Sequence, residues 1–207
     1  MKLSLVVFAF FLSVSSANAQ RLILPDVFAV SGIAADDTLN VRQEPSGGSA
    51  DIGDLALNDL IEVIALSDDR KWGQIIWQEG NGWIAMRFLS PSPLPHLRDS
   101  QMPMRLSCAG TEPFWTVFIW PNQTLEFIDR SDPSLEAQTR PITQSTTAIG
   151  MQPYSFAFTA GEFTGLLDRA ECSDGMSDRT YGWQLRLINP SSSGLQIRYG
   201  CCQAGTN

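Results

Sequence analysis

Tyr181-Gly182-Trp183-Gln184-Leu185-Arg186-Leu187 and Leu195-Gln196-Ile197-Arg198-Tyr199-Gly200-Cys201-Cys202 alternate apolar and polar residues at a period of two. In an extended chain successive side chains point to opposite faces, so such a period marks a strand buried on one side. Tyr181, Trp183, Leu185 and Leu187 share one face of the first run, and Leu195, Ile197, Tyr199 and Cys201 share one face of the second. Residues 189–194, Asn-Pro-Ser-Ser-Ser-Gly, have the composition of a hairpin connection. The pair therefore predicts two antiparallel strands whose apolar faces cover a core. Upstream, Tyr154-Phe156-Phe158 alternates with Ser155-Ala157-Thr159, and Phe114 to Trp120 with Leu125 to Ile128 forms a second hairpin around Pro121-Asn122-Gln123. Residues 106–207 then read as an all-β domain, an antiparallel barrel or sandwich.

All four cysteines lie in this half. A bond between adjacent Cys201 and Cys202 is strained, so each pairs elsewhere. The alternation puts Cys201 on the apolar face and Cys202 on the polar one. The expected bonds are Cys172 with Cys201 inside and Cys108 with Cys202 outside. Their spacing does not suit zinc, and no metal or other cofactor is expected.

The first half carries short apolar runs at Leu60 to Leu66, Trp72 to Trp77 and Gly82 to Leu89, separated by turn compositions such as Ser67-Asp68-Asp69-Arg70. Short strands and tight turns predict a small barrel over residues 20–90. Pro91-Ser92-Pro93-Leu94-Pro95 favours an extended spacer, so residues 91–105 read as a linker. Met1 to Ala19 has the form of a secretory signal: Lys2, an apolar run from Leu3 to Val14, and small residues at Ala17 and Ala19. The run is shorter than the about 20 residues a membrane-spanning helix needs, so stable membrane insertion is not expected. The reading is a periplasmic or secreted protein cleaved near Ala19.

Removing Lys2 leaves 13 basic residues against 22 acidic ones, a formal charge of −9. Nucleic acid is excluded as an expected partner, because phosphate binding needs clustered Lys and Arg. His96 is the one histidine and lies beside the spacer, badly placed to serve a Ser or Cys nucleophile.

Leu39-Asn40-Val41-Arg42, with Pro45 following and Gly82-Trp83-Ile84 about forty residues on, resembles the start and end of a bacterial SH3-like domain, the match running from about residue 30 to 89. That resemblance implies a small barrel binding peptidoglycan or an envelope protein. Asp36, Asp37, Arg42 and Trp77 are its candidate ligand contacts. Gly110-Thr111-Glu112-Pro113-Phe114-Trp115, then Cys172-Ser173-Asp174-Gly175-Met176-Ser177-Asp178-Arg179, then Gly200-Cys201, is similar to a family of uncharacterised bacterial envelope proteins, often lipoproteins. This resemblance independently favours the Cys172–Cys201 pair. The polar loop fixed at Cys172 can itself present Asp174, Asp178 and Arg179 to a ligand, with Glu112 and Trp115 nearby if the Cys108 bond draws the strands together. The chain lacks the family's lipid-attachment cysteine. Asp174-Gly175 is also a tight-turn signal, and Ser177 and Asp178 cap turns. The combined expectation is an exported, non-enzymatic binding or adaptor protein with no catalytic residues. A carboxylate-dependent wall hydrolase and an inhibitor of a wall-degrading enzyme are the alternatives.

Overall fold

The computed structural model describes residues 22–131, 134, 136–148, 155–191 and 194–205. The expected signal segment, Tyr154 and part of the 189–194 connection lie outside these residues. The fold is all-β. The first lobe holds β1 (Asp26–Val30), β2 (Thr38–Arg42), β3 (Asp51–Ala56), β4 (Leu60–Val63), β5 (Ala65–Leu66), β6 (Trp72–Trp77), β7 (Gly80–Ala85) and β8 (Leu89–Pro91), with one 3-10 turn at Met86–Phe88. They form a five-stranded sheet in the order β3-β2-β7-β6-β5 and a three-stranded sheet in the order β4-β1-β8. Val30, Leu39, Val41, Val63, Ile75 and Ile84 are buried together between them.

The second lobe holds β9 (Leu106–Thr111), β10 (Phe114–Trp120), β11 (Thr124–Asp129), β12 (Gln138–Thr147), β13 (Ser155–Ala160), β14 (Phe163–Cys172), β15 (Tyr181–Ser191) and β16 (Gly194–Ala204). Each pairs antiparallel with the next, and β16 returns to β9 to close an eight-stranded barrel. Eight strands leave an interior just wide enough for side chains to fill. Here Trp115, Phe127, Phe156, Phe158, Phe163, Leu167, Trp183, Leu185 and Leu187 fill it.

Two expectations are corrected. The proline-rich stretch is not a free spacer. Beyond β8, residues 95–104 fold back as a hairpin, with Leu97 N–H donating to the Met102 carbonyl (2.9 Å) and Met104 N–H to the Pro95 carbonyl (2.8 Å). Leu94, Leu97, Met102 and Met104 are buried in the barrel core, joined there by Val27 of β1. Burying four apolar side chains outweighs the extended bias of three prolines, at about 1.5 to 3 kcal/mol for each fully buried side chain. His96 stays exposed on this hairpin.

The second correction concerns β16. Its apolar face points outward: Leu195 is 77% exposed, Ile197 67% and Tyr199 51%. Arg198, Gly200 and Cys202 are buried instead. Large rings already occupy the space this strand lines. A Cβ on Gly110 of β9 would lie 2.2 Å from Trp115 Nε1, and one on Gly200 would lie 2.3 Å from the Ala109 carbonyl oxygen and 2.8 Å from Trp115. Arg198 lays its guanidinium 4.9 Å from the centroid of Phe127. The disulfides pair as expected, Cys108–Cys202 and Cys172–Cys201. Their sides are reversed. Cys108 and Cys202 belong to the barrel core, whereas Cys201 lines a recess outside the barrel wall.

Candidate functional site

The loop from Cys172 to Tyr181 joins β14 to β15 and is rich in polar side chains. Its centre is Asp174. Asp174 Oδ1 accepts the Met176 and Ser177 amides, each at 2.9 Å, and Oδ2 accepts the Ser177 hydroxyl at 2.9 Å and the Tyr181 hydroxyl at 3.1 Å. Burial opposes its ionisation, but the Ser177 and Met176 amides and the two hydroxyls outweigh that, holding the carboxyl below its usual range. The carboxylate thus closes its own loop. Thr111 at the end of β9 donates to the Asp174 carbonyl (3.2 Å), so the loop lies over the barrel wall. A recess of about 200 Å³ remains beneath it, lined by Ser107, Thr111, Asp174, Arg179, Tyr181 and Gln203 among others.

Arg179 turns away toward the first lobe. Its Nε donates to the Gln78 carbonyl at 2.7 Å, and its Nη2 pairs with Glu79 at 3.1 Å. Next to it Asn81, at the start of β7, accepts the Thr180 amide (2.7 Å) and donates to the Thr180 carbonyl (3.0 Å) and the Ile75 carbonyl (3.1 Å). A side-chain amide here continues the β15 backbone into the first lobe. The Cys-Ser-Asp-Gly-Met-Ser-Asp-Arg element therefore builds a joint between lobes.

A second joint was not among the expected site residues. Glu62 of β4 is buried, and its carboxylate accepts Trp183 Nε1 at 2.8 Å and the Ala204 amide at 3.1 Å. Burial pushes this carboxyl up to about 7, against the Ala204 and Trp183 hydrogen bonds and the nearby Arg169 charge, which lower it, while Asp26 adds to the rise. Arg169 of β14 stacks 4.5 Å from the Trp183 ring centroid and donates to the Pro25 carbonyl of the first lobe. A lone acidic residue within Leu60-Ile61-Glu62-Val63 was the available signal, since a charge in an apolar strand is retained only with partners.

The other expected contacts are distributed as follows. Trp115 is 2% exposed in the barrel core. Trp77 is half-buried, donating Nε1 to the Ile52 carbonyl (3.0 Å) and resting on Gly53, where a Cβ would lie 2.2 Å from its ring. Arg42 donates to the Ser49 carbonyl (3.1 Å) and lies 3.7 Å from Asp51, holding the loop between β2 and β3. Asp36 and Asp37 are exposed, and Asp37 caps the Thr38 amide at 2.9 Å. Glu112 and Asp178 are exposed at loop positions. The structure brings together only Asp174 and Arg179, through Tyr181.

A larger cleft lies at the barrel mouth beside the 95–104 hairpin. Its volume is about 620 Å³. Leu97, Ile142 and Phe158 give it apolar surface, Gln123, Gln144, Thr146 and Thr159 line it with amides and hydroxyls, and Arg98 and Asp99 stand on the hairpin side. Polar β12 supplies much of this wall. Among the described residues, no group of three or more His, Cys, Asp or Glu side chains is arranged to hold a metal ion. No helix among them is long and apolar enough to cross a membrane. The two disulfides point to an oxidising, exported environment. No protein-family model, curated protein or solved structure matches the chain.

Proposed function

We propose that the protein is an exported, non-enzymatic binding or adaptor protein of the bacterial envelope, released near Ala19 into the periplasm or medium. Its SH3-like first lobe binds peptidoglycan or an envelope protein, and the barrel adds a second contact. The observation that carries this reading is the 620 Å³ cleft, whose β12 and β13 wall sets amides and hydroxyls over apolar surface, with Arg98 and Asp99 on its hairpin side. Such a lining suits N-acetylated sugars and peptide amides, which offer neutral donors and acceptors beside apolar faces, and a few placed polar groups in an apolar pocket fix ligand orientation. The two joints support an adaptor, because Glu62, Asn81 and Arg179 hold both lobes at a fixed angle for simultaneous contact.

The test is co-sedimentation of the full mature chain with purified cell-wall sacculi. Pelleting is expected, with at least about tenfold weaker binding after Thr146→Arg, which fills the cleft from an exposed position. Capture of an envelope protein without pelleting replaces the wall by a protein ligand. Release of soluble muropeptides that stops on Glu112→Gln replaces the binding reading by hydrolysis.

A further inference from the structure

The outward apolar face of β16 coincides with an open strand edge. β9 pairs with β16 only over Cys201–Ala204, against residues Ala109 to Leu106. On its other side β16 pairs with β15 from Gly194, opposite Ser191, to Cys202, opposite Trp183. Among the described residues, no strand therefore pairs with Gly194 to Gly200 on the β9 side. Immediately after β16, the Gly205 amide donates to the Arg105 carbonyl on that same side (2.8 Å). Backbone groups of an antiparallel strand alternate in direction. The odd-numbered residues Leu195 and Ile197 thus direct their N–H and C=O groups to the open edge, while their side chains stand on the outer face; at Tyr199 β9 still lies alongside, a Cβ on Gly110 falling 2.7 Å from its carbonyl oxygen.

Exposed edges are usually guarded by charge, proline or a covering segment. Among the described residues, none guards this one. The only charged side chain in the run, Arg198, turns inward, donates to Asn189 Oδ1 and lies 3.9 Å from Asp129. In a chain with 22 acidic residues, the stretch Gly194-Leu195-Gln196-Ile197-Arg198 carries none. The net negative charge of the chain opposes the approach of two copies, and at this stretch they meet without opposing carboxylates.

We infer that β16 is a dimerisation edge and that its occupant is β16 of a second copy, antiparallel about a two-fold axis at Gln196. That register sets Leu195 opposite the second copy's Ile197 and Ile197 opposite its Leu195. Both are positions whose backbone groups face the edge, so the copies exchange hydrogen bonds there while the opposed side chains form apolar cross-strand pairs. Arg198 falls opposite Gly194, which has no side chain to obstruct it. The same patch meets itself, as a two-fold interface requires.

Sedimentation velocity of the full mature chain from about 1 μM to about 1 mM tests this, a range that captures weak and moderate association. A monomer–dimer equilibrium is expected, together with hydrogen-exchange protection of the Leu195 and Ile197 amides that rises with concentration. Ile197→Lys introduces an ammonium into each copy's edge and should weaken association at least about tenfold. Leu195→Lys should do the same, and an unchanged melting temperature at low concentration confirms that each variant folds. A monomer throughout the range, a dimer that leaves both amides unprotected, or undiminished association of both variants overturns the inference.

Discussion

β15 and β16 carry the same alternation and are hydrogen-bonded neighbours, yet they face opposite ways. Trp183, Leu185 and Leu187 are fully buried, whereas Leu195, Ile197 and Tyr199 are more than half exposed. Pairing keeps residues directly opposite one another on the same face, so register alone sends Ile197 outward beside Ile188 and Arg198 inward beside Leu187. A one-residue slip would exchange these faces. What holds the observed register is the inner volume: Gly200 leaves room for Trp115, Arg198 stacks on Phe127, and Cys202 reaches Cys108. The lesson is that alternation identifies a strand's two faces, and the neighbours' bulk decides which one is inside.

The sharpest way to break this contrast is to remove the covalent pin on the inner face of β16. Cys108→Ala combined with Cys202→Ala opens a bond spanning 94 residues, and should cost about 4 to 5 kcal/mol in chemical denaturation. Leu185→Ala, on the inner face of β15, should cost about 2 to 5 kcal/mol. The same change at Leu195 tests the opposite face, and equal losses at the two positions would mean that β16 faces inward after all.

Glu62 sharpens the comparison because it is held by both strands, by Trp183 of β15 and by the backbone of β16 at Ala204. Its carboxyl is raised from an ordinary 4.5 to about 7 in the folded chain. The folded state therefore binds its proton more tightly. The associated stability is fully present below about pH 4.5 and is lost as pH rises through about 7, by up to about 3 kcal/mol. Urea midpoints measured from pH 4.5 to 8 should show this decline, and Glu62→Gln should remove that component of it. The smallest effect is expected outside: Leu195→Ala or Ile197→Ser, measured at low concentration, should shift stability by no more than about 0.5 kcal/mol.

Much of the architecture was legible because it rests on local signals. Strand pairs such as Phe114–Trp120 with Thr124–Asp129 announce themselves by apolar runs around a turn, and four cysteines with two adjacent leave few pairings. β12 was hidden, since Gln-Thr-Arg-Pro-Ile-Thr-Gln-Ser-Thr-Thr has little apolar alternation and contains Pro141; the barrel's closure, rather than its own composition, makes it a strand. Chemical type alone does not reveal whether a group is already satisfied. Asp174 and Arg179 have the chemistry of ligand contacts, but their partners are Ser177, Tyr181, Gln78 and Glu79. Asn81 and Glu62, which complete the joints, are unremarkable by type, and their partners are about a hundred or more residues away in sequence.

The folded-back segment that carries Leu94, Leu97, Met102 and Met104 into the barrel changes how the chain can be rearranged. A tandem protein whose halves meet at a neutral tether can exchange either half for another cassette. Here the stretch resembling a tether is the stopper of the downstream container, and Val27 of the upstream half helps to seat it. Cutting at the prolines would uncork the barrel and strip an apolar contact from its neighbour, so the two lobes have to be engineered as one piece.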